Sequence, residues 1–143
     1  MSRRPPPRKA VIEITRACNM TCLHCASAAG KVRPNELKTG QMLRLIDDLK
    51  NLGVEDVVFS GGEPLVRKDW PVLAERVRSH GMSLGMVSNG TFALKHMDQI
   101  RNLLTAFSMS FDGLEDTHNQ IRNSPDAFRD LVAAFRELAE HEL

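Results

Sequence analysis

The feature that most constrains the fold of this chain is an alternation. Short runs of branched apolar residues are each followed by a longer run with helical apolar spacing. Ala10 to Thr15, Val54 to Phe59, Met82 to Val87 and Thr105 to Phe111 read as strands, the first supplied with branched side chains by Val11, Ile12 and Ile14. Thr39 is placed to cap a helix carrying Met42, Leu45, Ile46, Leu49 and Leu52, and Gly53 is placed to stop it. Asp69 opens a second helix with Trp70, Leu73, Ala74 and Val77 on one side, where Trp70 reads as a packing anchor. Leu94, Met97, Ile100 and Leu104 mark a third helix. Ser124 and Pro125 start a fourth, before Phe128, Leu131, Val132, Phe135 and Leu138. This order predicts an α/β fold, a parallel sheet with helices over it. In such folds the carboxyl ends of the strands carry the site. Four loops therefore converge on one rim: CNMTCLHC, SGGEP, SNGT and SFDG.

The first loop holds all three cysteines of the chain, Cys18, Cys22 and Cys25, spaced C-x3-C-x2-C. An odd number argues against a fully paired disulfide framework. Three thiolates satisfy three corners of a [4Fe–4S] cube and leave the fourth iron to water, a small molecule or a residue elsewhere. Zinc is the rival, with His24, His80, His96 or His118 as a fourth ligand. Against it, His24 adjoins Cys25, and adjacent residues seldom close on one tetrahedral ion. Ordinary buried thiols are the third reading. His24 packs beside a bound group or simply covers the loop.

The other loops carry their own alternatives. Gly61 and Gly62 let backbone approach a ligand closely, Glu63 supplies an acceptor and Pro64 stiffens the exit. Such a loop can receive an ammonium group, or serve as a plain strand-to-helix turn. Ser88 and Asn89 precede Gly90 at the end of the third strand, and Asn-Gly is also a common turn pair. Ser110 and Asp112 share a face at the end of the fourth strand, with Asp112 also suited to capping the turn before Gly113. Arg122 is either a fork for a carboxylate or a surface cation near the last helix.

Together the cysteine spacing and the GGEP of Gly61 to Pro64 resemble the radical S-adenosylmethionine (radical SAM) enzymes. The resemblance covers nearly all of residues 11–143, with His24 at a position usually aromatic. SNGT, SFDG and the histidine–arginine segment that follows look closest to the branch that modifies peptides or matures cofactors and carries a SPASM-type C-terminal region. The resemblance implies a (β/α)4 portion of a partial (β/α)6 TIM-like barrel. It implies a [4Fe–4S] cluster on Cys18, Cys22 and Cys25, and S-adenosylmethionine chelating the open iron. GGEP would face the methionine amine, Ser88 and Asn89 the nucleoside, and Ser110 with Arg122 the methionine carboxylate or the ribose region. It further implies a flavodoxin- or ferredoxin-like one-electron reductant, reductive cleavage of the sulfonium and hydrogen abstraction from a substrate, a peptide among the candidates. A catalytically inactive iron–sulfur or peptide-binding remnant is the alternative. Relatives of this look have six units and then a cysteine-rich region, whereas four units are read here. The chain is therefore expected to be a piece of a longer enzyme.

Composition narrows the remaining classes. Lysine and arginine total 19 against 18 acidic residues, and no basic–aromatic stripe occurs, so no nucleic-acid partner is expected. No run approaches about 18 apolar residues, so no membrane partner is expected and the cytoplasm is the default location. Residues 1–9, basic and proline-rich, read as a disordered arm before a core domain over 10–143. No G-x-G-x-x-G follows the first strand, which weighs against a dehydrogenase.

Overall fold

A computed structural model describes residues 7–140 of the chain, so most of the expected arm lies outside the described residues. The elements run β1 (Lys9–Thr15), α1 (Thr39–Asn51), β2 (Asp56–Gly61), α2 (Trp70–Ser79), β3 (Ser83–Ser88), α3 (Met97–Leu103), β4 (Ala106–Met109), α4 (Glu115–Arg122) and α5 (Ala127–Glu140). The four strands form one parallel sheet in the order β1-β2-β3-β4. This is the α/β arrangement that the alternation predicts, four units of a partial barrel. Among the described residues no helix is long and apolar enough to cross a membrane.

One face of the sheet carries the core. Ile12 and Ile14 of β1, Val57 and Phe59 of β2, and Leu84 and Met86 of β3 are buried. Strand alternation puts all six on one side. They pack against Met42 and Ile46 of α1, Leu73, Ala74 and Val77 of α2, Ile100 of α3 and Ala134 of α5. Trp70 is 1% exposed and anchors the start of α2, as read from its place on the helix face.

Several boundaries differ from the sequence reading, each for a local reason. The N-cap of α1 is Lys38, whose N–H donates to the Gln41 side chain at 3.0 Å, and Thr39 is the first helical residue. Released from capping, the Thr39 hydroxyl donates to Asp69 at 2.6 Å. Asp69 occupies the N-cap of α2, but its carboxylate is spent on Thr39 and Arg67 and makes no capping bond. β1 begins at Lys9, because the Arg8 carbonyl already accepts the N–H groups of Glu55 and Asp56. The largest difference is α4, a helix over a segment without apolar periodicity. It buries only His118, and it pushes the start of the last helix to Ala127.

Candidate cofactor-binding site

The loop that follows β1 is closed at its base by its own backbone. Cys18 N–H donates to the Gly30 carbonyl, and Gly30 N–H donates to the Arg16 carbonyl, both at 3.0 Å. The Arg16 guanidinium reaches across to the Ala28 carbonyl through Nε (2.9 Å) and Nη2 (2.6 Å). Ala28 has a φ of 44°, a left-handed conformation unusual for a residue with a Cβ. Arg16 thus braces the loop, a job that the sequence did not disclose.

Glu36 anchors the same base. It accepts from the Thr15 hydroxyl (2.9 Å) and from the N–H groups of Arg16 (2.6 Å) and Arg33 (3.1 Å). Burial works to raise its carboxyl, but these donors and the nearby Arg67 charge hold it below the usual carboxylate range. Nothing in the pattern around Glu36 marked it, since its partners are mostly backbone groups brought near by the loop.

The second loop fits against the first at backbone distance. Gly62 N–H donates to the Thr15 carbonyl and Glu63 N–H to the Ala17 carbonyl, both at 2.8 Å. A Cβ on Gly61 would run into the Thr15 carbonyl oxygen, and one on Gly62 into those of Ala17 and Arg16. The close approach that two glycines permit is therefore made to the chain's own cysteine loop. Glu63 is fully buried. Its Oε1 accepts from Leu65 N–H (3.0 Å) and the Ser88 hydroxyl (2.9 Å), and its Oε2 from Asn89 N–H (2.7 Å). Burial raises its carboxyl above the usual range, although all three donors favour the charged form.

A cavity of about 240 Å³ opens where the four loops meet. Cys18, Cys22 and Cys25 line it together with His24. Gly61, Gly62, Ser88, Asn89, Ser110 and Arg122 complete most of its wall. The sequence also proposed Glu63, Pro64 and Asp112, and none of these borders it. Glu63 stands behind the wall as a clamp between the second and third loops. Pro64 is buried at the start of a short 3-10 turn. Asp112 is engaged by Arg122 Nε at 2.5 Å and lies 3.4 Å from His24 Nε2. Met20, Ser60 and Val87 line the cavity without having been singled out.

The three thiols are free of disulfides. Among the described residues, no three histidine, cysteine, aspartate or glutamate side chains converge as ligands of a single metal ion, so no zinc ligand set is assembled. A cubane makes a different demand, because each thiolate sits on its own iron. The donor set fits that demand. All three cysteines line one cavity, and each sulfur faces an N–H donor. Cys18 Sγ faces Met20 N (3.5 Å) and Asn89 Nδ2 (3.9 Å), Cys22 Sγ faces Arg122 Nη1 (3.8 Å), and Cys25 Sγ faces Ala29 N (3.3 Å). Without a bound group, burial pushes the Cys18 thiol up, and the Met20 and Asn89 donors oppose it.

The model of the Radical SAM superfamily matches residues 12–143. The chain belongs to that superfamily. It is 38% identical over 121 residues to Fe-coproporphyrin III synthase of Methanosarcina barkeri, covering 82% of this chain and 30% of that protein. It is 41% identical over 132 residues to the mycofactocin maturase MftC of Mycobacterium ulcerans, covering 89% of this chain and 35% of that one. Streptococcus suis SuiB bound to its precursor peptide SuiA superposes with a TM-score of 0.78 at 19% identity, covering 94% of this chain and 31% of SuiB. SuiB has also been solved bound to S-adenosylmethionine. Relatives of this kind place the chain in the peptide-modifying and cofactor-maturing branch, and it spans about a third of their length.

Proposed function

We propose that this chain forms the cofactor-binding rim of a radical SAM enzyme that modifies a peptide or matures a cofactor. Cys18, Cys22 and Cys25 hold a [4Fe–4S] cluster, and the cavity beside them seats S-adenosylmethionine. The observation that carries this reading is the cavity itself, lined by three cysteines whose sulfurs each face an N–H donor. When bound, the two cofactors supply reductive cleavage of the sulfonium and hydrogen abstraction from a substrate.

The residues of the chain divide the remaining work. Carbonyls of the Gly61–Gly62 turn receive the methionine ammonium, since the Glu63 oxygens already serve three donors. Glu63 fixes Ser88 and Asn89, and through them the wall facing the nucleoside. Ser110 and the Arg122 fork take the methionine carboxylate, an anion suited to parallel charge-assisted bonds. Walls on several sides restrict water and hold reacting atoms in place. A flavodoxin- or ferredoxin-like protein supplies the electron. The peptide bound to SuiB motivates a peptide as substrate class here. The core domain begins near residue 10, and the protein works in the cytoplasm.

A second reading has a specific observation behind it. The chain covers 30% of Fe-coproporphyrin III synthase and 35% of the mycofactocin maturase. On that reading this unit binds an iron–sulfur group or a peptide without turnover. Anaerobic reconstitution with iron and sulfide decides between them. The main reading expects about four irons per chain, their loss in Cys18→Ala, and dithionite-dependent release of methionine from S-adenosylmethionine. Iron uptake without methionine release selects the second reading, and absence of iron uptake rejects both cluster readings.

A further inference from the structure

α4 has no apolar stripe, yet its last turn is docked on the cysteine loop residue by residue. Leu23 N–H donates to the Ile121 carbonyl at 2.9 Å. Arg122 Nη1 lies 3.8 Å from Cys22 Sγ. Asn123 Nδ2 donates to Thr21 Oγ1 at 3.0 Å. Three consecutive residues of the helix end thus meet three consecutive loop residues in antiparallel order. Asn123 makes this possible by adopting the left-handed conformation (φ 51°, ψ 46°), which ends the helix and turns its amide back toward the loop.

The docked turn is held from behind. Asp112 accepts from Arg122 Nε at 2.5 Å. The Asp112 N–H donates to His118 Nδ1 at 3.2 Å, and His118 is fully buried between Phe111 and Phe128, with ring centroids 6.1 and 6.0 Å away. The histidine is neutral in this setting. Burial lowers its pKa, the Arg122 charge adds to the effect and Asp112 opposes it.

The middle sulfur is treated differently from its neighbours. Cys18 and Cys25 each face a backbone N–H of their own loop, from Met20 and Ala29, and Cys18 also faces the neutral Asn89 amide. Cys22 alone of the three faces a charged donor, the Arg122 guanidinium. A charged donor stabilises negative charge more strongly than a neutral one, and donors to cluster sulfurs raise the reduction potential because the reduced cluster is the more negative state.

We propose that the α4 turn is a clamp on the cysteine loop, and that Arg122, held by Asp112, is a positioning residue that sets the charge on the Cys22 sulfur and so raises the reduction potential of the cluster. This rests on the cluster reading given above. It is separate from any part that Arg122 plays toward S-adenosylmethionine, because it operates with that ligand absent.

Two measurements test it. In the metal-free chain, amide hydrogen exchange should find Leu23 protected, and Asn123→Ala should speed that exchange by about fivefold to tenfold. An unprotected Leu23 amide in the parent chain overturns the clamp. In the reconstituted chain without S-adenosylmethionine, a redox titration should give Arg122→Gln a more negative midpoint, with Arg122→Lys between it and the parent. Arg129→Gln removes an exposed charge of the same sign on α5 and should leave the midpoint unchanged. If Arg122→Gln does not retain its cluster, the midpoint of Arg122→Lys is decisive. Parental midpoints in the Arg122 variants, or an equal shift in Arg129→Gln, overturn the proposal and leave the cluster reading intact. Absence of a cluster in the parent chain overturns both.

Discussion

The loop after β1 and the turn after β2 border the same cavity, but they are held in opposite ways. The turn is enclosed. Glu63 is buried with three donors on its carboxylate, and the two glycines before it press against backbone. The cysteine loop is open, with Leu23 at 72% exposure and His24 half exposed, and it is held at its base and by the end of α4. One side is a finished part of the fold. The other is a cradle whose three cysteines line the cavity. A family signature can therefore hold two kinds of residue, those that touch a cofactor and those that fix the wall behind it.

Substitutions can break or sharpen that contrast. Gly62→Ala should cost most, about 3 kcal/mol or more, because its methyl group meets two backbone carbonyls that neither loop can move freely. Glu63→Ala should follow at about 2–3 kcal/mol, from three donors left without an acceptor. Urea unfolding measures both, and a loss within about 0.5 kcal/mol for either would place the turn among ordinary surface turns.

The next effect lies in the pH dependence, where two carboxylates act with opposite sign. Asp69 is held below the usual range chiefly by hydrogen bonds from Arg67, so its contribution is present above about pH 4 and is lost as pH falls through its folded value. Glu63 is raised by burial, so its contribution declines as pH rises from about 4.3 through its folded value. Asp69→Asn should flatten the acid limb of stability against pH, and Glu63→Gln should flatten the opposing slope. Parallel unfolding curves across pH for parent and variants would contradict both. The smallest change is expected from Leu114→Ala, 78% exposed at the N-cap of α4, where neither side chain can cap the helix, and it should stay within about 0.5 kcal/mol of the parent.

Much of this molecule was legible in the sequence because its signals were local. Period-2 strands, helical apolar spacing and glycines after helices gave the four units. The C-x3-C-x2-C spacing and GGEP named the loops that meet at the cavity. Two parts were hidden. EDTHNQIR gives no apolar stripe, because α4 docks through one buried histidine and polar contacts at its end. Acidic residues in its first turn and Arg122 in its last were the available signs, since they suit the helix dipole. The role of Glu63 was also hidden, because a carboxylate in a glycine-rich turn looks the same whether it faces a ligand or the neighbouring strand end.

Between Glu13 and Thr15 the pairing of β1 with β2 slips, and Ile14 falls outside the ladder. Its carbonyl is taken instead by Arg67 Nη1 at 2.5 Å, from the segment leading into α2. Arg67 also binds Asp69 and the Leu37 carbonyl. A single side chain therefore rivets the stem of the cysteine loop to the far end of the neighbouring turn. Whatever docks in the mouth meets those two pieces as one rigid jaw.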